Sequence, residues 1–401
     1  MEKPQSVPFY PPFLPQKFMI KPIPESNKHL PKLNSSDKKR LDEFLSYLSD
    51  EALHFMGYPC SETYNYSELF PLFSYSINNI GDPYLPSNYH LNTHHFEQEV
   101  LDYFKNITHA TQKTWGYITS GGTEGNLYGL YAAREALGDE AIVYYSEDSH
   151  YSIAKNIHIL NLKNQVIKSQ KNGEMDYQNL KQVIINNKPQ KVIINANLGT
   201  TMKGAIDNVQ TIKTVLKELG IKHYYIHADA AFFGMILPFL TPPVKFGFNT
   251  GIDSIAISGH KMIGSPIPCG ICLVKAKYIT PLTSSIEYIG TLDNTITGSR
   301  NGITPMFLWY FIHTNNLQTL QKRTQQCFDN ADYIIKKFKQ LDICAWRNPY
   351  SFIVVFDQCA KKLLTKWQIA IHNNIAHLIP MPHISQEVID DFFNDLAREI
   401  K

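Results

Sequence analysis

The stretch Ser254-Ile-Ala-Ile-Ser-Gly-His-Lys-Met262 decides how this chain is read. Ile255 to Ile257 is a short apolar run, bounded by Asp253 on one side and Ser258-Gly259 on the other. That is the pattern of a buried strand stopped by a tight turn. The turn presents Ser258, His260 and Lys261 together, and Gly264-Ser-Pro266 follows. A lysine at such a place is either ordinary solvated surface or a group that holds a cofactor aldehyde as a Schiff base. The residues that accompany it elsewhere in the chain decide between the two.

On the N-terminal side, strand and helix signals alternate. Ala141–Tyr145, Lys191–Asn197 and Tyr224–His227 read as strands, and Ser152–Leu162 and Val209–Leu219 as helices. Alternation of this kind predicts a mostly parallel sheet with helices on both faces. Polar residues follow each strand: His150 after the first, Thr200 and Thr201 after the second, Asp229 after the third, and His260 with Lys261 after the fourth. Ligands of open α/β sheets bind beyond the carboxyl ends of the strands. One fold therefore gathers these distant residues into one cleft, although each alone could equally be a packed histidine or a turn residue.

Further upstream stands Trp115-Gly-Tyr-Ile-Thr-Ser-Gly-Gly-Thr-Glu-Gly-Asn126. Gly121 and Gly122 let the backbone bend, and Thr123 and Glu124 open a helix through Leu127, Leu130, Tyr131 and Arg134. A Gly-rich turn feeding a helix offers free N–H groups and the positive end of a dipole, which suits a phosphate. The spacing matches neither the dinucleotide fingerprint nor the Walker pattern, and a plain helix start is the other reading. Residues 74–89 carry loop chemistry with Tyr75, Tyr84 and Tyr89, either a site lining or a surface loop. His90, His94 and His95 lack the carboxylates or cysteines that would complete a metal site, so no metal is expected.

Composition bounds the rest. The chain has 401 residues, 43% hydrophobic and 18% charged, which suits a globular protein of more than one domain. A net charge of +2 gives no argument for nucleic acid or an acidic membrane surface. No apolar run reaches the length of a membrane span, and the opening Met1-Glu-Lys-Pro4 has no signal core, so a cytoplasmic location is expected. Residues 1–36 hold eight of the 23 prolines and read as an extended arm. A helix should begin near Ser36-Asp37 with Ser36 as its cap. Of the six cysteines, Cys269 and Cys272 fall in an apolar segment and read as buried thiols; Cys60, Cys327, Cys344 and Cys359 are scattered. Ser284–Asn294 reads as a loop. Helical stretches at Pro305–His313 and Leu320–Leu341 and strands at Ser351–Phe356 and Ile375–Ile379 complete a smaller α+β domain.

The motifs Gly121-Gly-Thr-Glu-Gly-Asn126, Ser149-His-Tyr-Ser152, Asn197-Leu-Gly-Thr-Thr201, His227-Ala-Asp-Ala-Ala231, Ser258-Gly-His-Lys261, Gly264-Ser-Pro-Ile-Pro-Cys-Gly270 and Gly298-Ser-Arg-Asn-Gly302 resemble those of the group II amino acid decarboxylases, which depend on pyridoxal phosphate (PLP). The resemblance covers nearly everything after residue 37. It implies a fold type I, PLP-dependent transferase-like α/β architecture. The implied parts are an arm at 1–36, a helical and loop segment at 37–95 on a dimer interface, a large cofactor domain at 96–294 and a small domain at 295–401. It implies that Lys261 carries the cofactor, that Asp229 pairs with the pyridine nitrogen, and that His150 stacks on the ring and touches the substrate. Ser120, Gly121, Gly122, Thr123, Ser258 and His260 would hold the phosphate, and Thr201 would sit near the ring oxygen. Tyr84, Tyr89 and Tyr288 would join His150 at the substrate. The implied assembly is a homodimer, or dimer of dimers, with shared sites, and residues 284–294 would serve the partner's site. The implied reaction is loss of CO2 from an L-amino acid. Gly81–Tyr89 is similar to the serine-acting plant branch; Met235–Phe239 and Lys261–Pro266 are similar to the histidine-acting bacterial branch. Histidine is the expected substrate, with serine as the alternative and a non-catalytic homologue beyond it.

Overall fold

The computed structural model of the chain describes residues 32–62, 64–279, 284–357 and 360–400. The proline-rich arm up to residue 31 and Cys359 lie outside the described residues. The chain forms two compact units, one ending at Leu53 and one running from His54. In the first, helix α1 spans Ser35–Ala52. Its cap is Asn34 rather than the expected Ser36: the Asn34 side chain accepts the Asp37 N–H at 2.9 Å. Asn caps as well as Ser, so the helix begins where the first such side chain can reach its third N–H. Leu41, Phe44, Leu45 and Leu48 recur at helical spacing on α1 as an apolar stripe, and all four are exposed.

The second unit is built on a seven-stranded sheet. Its strands are β1 (Thr114–Thr119), β2 (Ile142–Ser146), β3 (Lys163–Ile167), β4 (Lys191–Asn197), β5 (His223–Asp229), β6 (Ser254–Ser258) and β7 (Gly270–Lys275), in the order β1-β7-β6-β5-β4-β2-β3. Neighbours from β6 through β3 pair in parallel, and β7 runs antiparallel to both β1 and β6. The expected strands are all there, with ends shifted by a residue or two. Residues Val192–Asn197 and all of β6 are buried, as strands covered on both faces must be. Ile255 and Ile257 are fully buried, and each such side chain contributes about 1.5–3 kcal/mol.

Helices α2 (His94–Ile107), α3 (Gly122–Leu137), α4 (Tyr151–Ile159), α5 (Tyr177–Asn187) and α6 (Val209–Glu218) accompany this sheet. Helix α3 lies close on β6: a Cβ on Gly125 would stand 2.9 Å from the Ala256 Cβ. Cys269 and Cys272 are buried and unpaired, as expected. The segment read as a loop at 284–294 instead forms a hairpin of β8 (Ser284–Ile286) and β9 (Thr291–Asp293). Gly290, at φ +66°, permits its turn and donates to the carbonyls of Ile286 and Glu287.

Beyond α7 (Thr304–Thr314) and α8 (Leu317–Gln340) lies a four-stranded antiparallel sheet of β10 (Ala345–Trp346), β11 (Val354–Asp357), β12 (Ile371–His372) and β13 (Ile375–Leu378), in the order β10-β11-β13-β12. Helices α9 (Lys361–Lys366) and α10 (Gln386–Ile400) belong to the same region. Phe338 of α8 packs its ring 4.7 Å from Phe356 and 4.8 Å from Phe393, joining sheet and helices. Among the described residues no helix is long and apolar enough to cross a membrane.

Candidate active site

The turn after β6 is held by backbone bonds on every side. Ser258 N donates to Ala231 O at 2.9 Å, Gly259 N to Cys269 O at 2.8 Å, and Ser265 N to Gly259 O at 3.1 Å. The Lys261 carbonyl accepts from Gly264 N at 3.1 Å and from Ser61 N at 3.0 Å. Lys261 is thereby fixed at the wall of a cavity of about 280 Å³. Asp229 ends β5 in the same cavity, and Thr200 and Thr201 reach it from the loop after β4. Gly122 and Thr123 reach it from the start of α3, and His150 from the start of α4. The carboxyl ends of β2, β4, β5 and β6 thus converge as the alternating pattern predicts. The volume falls just below the roughly 300–1,000 Å³ of small-molecule pockets.

Each group has a defined state. Burial pushes the Lys261 amine below its ordinary pKa, while the nearby Asp229 pulls it the other way. A less protonated amine is the nucleophilic form. The Asp229 carboxylate accepts the Ala231 N–H on Oδ1 at 3.1 Å and an Asn126 amide N–H on Oδ2 at 2.9 Å. His150 caps α4, its Nδ1 accepting the Ser152 N–H at 3.3 Å. Burial is the main cause that lowers its pKa, Asp229 opposing and Lys261 and Lys155 adding to it. A neutral His150 therefore carries its proton on Nε2. The Tyr151 ring lies 4.2 Å from the His150 ring, tilted by 44°.

His260 Nδ1 donates to the Cys269 carbonyl at 3.0 Å, which leaves Nε2 for another partner. Burial lowers the pKa of His260. Ser258 faces Gly122 so closely that a Cβ there would stand 2.7 Å from its Oγ. The first N–H groups of α3 have no partner within the helix. Together the Gly122 and Thr123 N–H groups, Ser258 Oγ and His260 make a cradle that fits a phosphate. Asp229 fits the nitrogen of an aromatic ring, and Lys261 fits an aldehyde. The donor set therefore fits a phosphorylated pyridine aldehyde.

Not every expected residue is in the cavity. Gly121 borders it, its Cβ position 3.8 Å from His260 Cε1. Ser120 does not line it: its N–H and hydroxyl both donate to the Glu124 carboxylate, which ties off the start of α3. Thr200 lines the cavity, but its hydroxyl accepts the Ala205 N–H at 3.0 Å and closes its own loop. Tyr84, Tyr89 and Tyr288 do not line this chain's cavity. Tyr84 is packed beneath Lys105, whose Nζ lies 4.7 Å from the ring centre. Tyr89 donates its hydroxyl to the Ser76 carbonyl at 2.8 Å. Tyr288 is 80% exposed beside the β8–β9 turn. The 74–89 loop is anchored through Asp82, which accepts from the Trp115 indole at 2.9 Å and from the Asn294 amide.

Conversely, Tyr58, Asn126, Asn197, Ile353, His377 and Ile379 line the cavity without having been singled out as site residues. His377 joins the small sheet to two other segments, its ring nitrogens 3.1 Å from the Met202 carbonyl and 3.0 Å from the Gly57 carbonyl. Asn126 and Asn197 had local signals, the first a polar residue one turn into the buried face of a helix, the second the polar end of β4. The others arrive through long-range pairing. A second cavity of about 440 Å³, between Glu174, Asp207, Lys245 and Tyr350, holds none of the expected site residues.

Comparison with known proteins places the chain in a family. Residues 74–358 match the family model described as the pyridoxal-dependent decarboxylase conserved domain. The chain is 44% identical over 378 residues to the histidine decarboxylase of Vibrio campbellii, covering 92% of this chain and 97% of that one. It is 43% identical over 371 residues to the histidine decarboxylase of Morganella morganii, covering 92% and 98%. Among solved structures, an L-methionine decarboxylase from Streptomyces sp. 590 superposes with a TM-score of 0.84 at 25% identity, covering 94% of this chain and 98% of that one. With a fold, a cradle and a sequence match that all point the same way, the chain belongs to the pyridoxal-dependent decarboxylases.

Proposed function

We propose that this decarboxylase releases CO2 from L-histidine and forms histamine at the cavity around Lys261. The observation that carries the proposal is the gathering of Lys261, Asp229 and His150 in one cavity of a chain 44% identical to a histidine decarboxylase over 92% of its length. Pyridoxal phosphate, once bound, supplies an aldehyde that takes the substrate amine and a protonated ring that draws in the electron pair left by departing CO2. The chain's residues supply the setting. Lys261 offers a low-pKa amine to the aldehyde. Asp229 holds a negative charge for the ring nitrogen. His150 offers a flat neutral ring, backed by Tyr151, for stacking. Gly122, Thr123, Ser258 and His260 would hold the phosphate, with Gly121 behind them, and Thr201 would lie toward the ring oxygen.

Tyr58 and Tyr151 give aromatic walls and Ser152 and His377 polar ones, a mixture that suits an imidazole better than a serine hydroxymethyl group. A pocket built for hydrogen bonds to a substrate group rejects analogues lacking it by about 10⁴-fold. Equal concentrations of L-histidine and L-serine, with amine products separated, test the choice. Histamine as the dominant product is expected. Ethanolamine would overturn the substrate, and no amine at all would favour a non-catalytic homologue.

A homodimer is part of the same proposal. Exposed Phe70, Phe73 and Tyr75, at 61%, 56% and 53%, and the apolar stripe of α1 are surfaces that association would cover. The 284–294 hairpin, with Tyr288, would then serve the partner's site. The parts proposed from the resemblance, 37–95, 96–294 and 295–401, keep the small antiparallel sheet in the last. The described cysteines are unpaired, which suits a reducing compartment, and the cytoplasm is the proposed location.

A further inference from the structure

We infer that a directed chain of hydrogen bonds, from Ser254 through His227 and Asn126 to Asp229, orients the Asp229 carboxylate and preserves its negative charge, so that His227 and Asn126 are positioning residues for the reaction. The inference rests on the reading of Asp229 as the partner of the cofactor's ring nitrogen and goes beyond it.

The direction follows from the chemistry of the donors. An Asp229 carboxylate can only accept, so the Asn126 group 2.9 Å from its Oδ2 is the amide nitrogen. The Asn126 carbonyl oxygen therefore faces His227 Nε2, also at 2.9 Å, and can only accept. The proton of His227 is thus on Nε2. Ser254 Oγ lies 2.7 Å from Nδ1 and donates to it when the ring is neutral. Burial is what keeps the ring neutral, lowering its pKa to about 4 against the pull of Asp229. Each donor in the chain has one acceptor, and every dipole points its positive end toward Asp229.

The packing is arranged around this chain. Ser254 and His227 are fully buried, Asn126 is 1% exposed, and Asp229 at the cavity wall is 7% exposed. Asn126 and Gly129 stand one turn apart on α3. A Cβ on Gly129 would lie 2.1 Å from His227 Nδ1, so only glycine lets the helix pass the imidazole. Glycine inside a helix costs about 1 kcal/mol relative to alanine, a cost borne here where the histidine needs room. Neutral partners matter for function. A cationic partner would neutralise Asp229 and compete with the ring nitrogen; a neutral amide fixes its angle and leaves the charge for the cofactor.

The test uses the holoenzyme and three readouts: the cofactor dissociation constant, the pH dependence of the bound cofactor's visible absorption, and the 15N spectrum of the wild-type imidazoles. His227→Leu should weaken cofactor binding about fivefold, the scale of losing one neutral hydrogen bond of about 1 kcal/mol, and should shift the absorption profile. His227→Gln, which keeps an N–H donor, should restore part of both. The wild-type His227 ring should be neutral and Nε2-protonated between about pH 6 and 8, a measurement that stands even if a variant fails to fold. Asp229→Asn serves as the reference. If Asp229→Asn moves the spectrum and His227→Leu does not, the relay is overturned and the role of Asp229 survives. If Asp229→Asn also leaves it unmoved, the reading beneath the relay falls too. An imidazolium or an Nδ1-protonated ring overturns the relay directly.

Discussion

The His150 ring and the Ser152 backbone are bound to each other: Nδ1 accepts the Ser152 N–H at 3.3 Å, so a residue facing the cavity is also the cap of α4. The cap fixes the ring's tautomer and its position at once. Structural and chemical roles can still be separated. His150→Asn keeps a favoured cap and removes the ring, so stability should stay within about 1 kcal/mol of wild type while turnover is lost. Chemical denaturation and histamine release measure the two, and retained turnover in this variant would remove the ring from the mechanism.

Asp229→Asn replaces the anion and keeps the shape. The variant should still bind some cofactor and lose most activity, because the ring nitrogen is then less protonated and accepts charge poorly. Turnover near that of wild type would place the electron sink elsewhere.

Gly122→Ala probes the cradle. Its Cβ would stand 2.7 Å from Ser258 Oγ and 3.3 Å from the Ala231 Cβ. The fold should survive, and cofactor affinity should drop by about tenfold or more, the equivalent of roughly 1.4 kcal/mol. Equilibrium titration of apoenzyme with the cofactor checks it; unchanged affinity would separate Gly122 from the phosphate.

The pH dependence of stability carries a signature of His227. Its folded pKa, about 4, lies below the roughly 6.5 of an unfolded chain. Below that upper value the unfolded state binds a proton that the folded state refuses. The contribution of neutral His227 is therefore complete above about pH 6.5 and is lost as pH falls through about 4, a change of about 3 kcal/mol. Unfolding curves of wild type and His227→Leu, compared from about pH 7 to 4, should show a difference that shrinks by this amount. A constant difference would mean that the ring titrates alike in both states.

Much of this was legible from residues alone. Strands β2, β4, β5 and β6 announce themselves because both faces are apolar, and the turns after them carry the polar residues of the cavity. Strand β3 escapes a local reading because Lys163-Asn-Gln-Val-Ile167 is an edge strand with four exposed residues and no apolar pattern. The pairing of β7 between β1 and β6 is a long-range choice that no local pattern encodes. The tyrosines expected at the substrate lie outside this chain's own cavity, and the 74–89 pair does so for the same reason. Loop 74–89 looks like site chemistry, but its position is set by Asp82 bonding to Trp115 and Asn294, which local reading does not reveal.

Tyr84 turns that outcome into a test. Its hydroxyl is buried with no hydrogen-bond partner among the described residues. Tyr84→Phe should leave stability equal or higher, since a buried unpaired hydroxyl costs about 1–3 kcal/mol, and should leave KM for histidine unchanged. A raised KM would bring Tyr84 to the substrate after all.

The central claim, that the cavity at the end of β6 holds the cofactor on Lys261, is tested most directly by covalent trapping. The purified holoenzyme is reduced with borohydride, digested, and its peptides are weighed by mass spectrometry. The account predicts the pyridoxyl mass on the peptide containing Ser258-Gly-His-Lys261, and its loss in Lys261→Ala. The same mass on a different lysine, or on none, would contradict it.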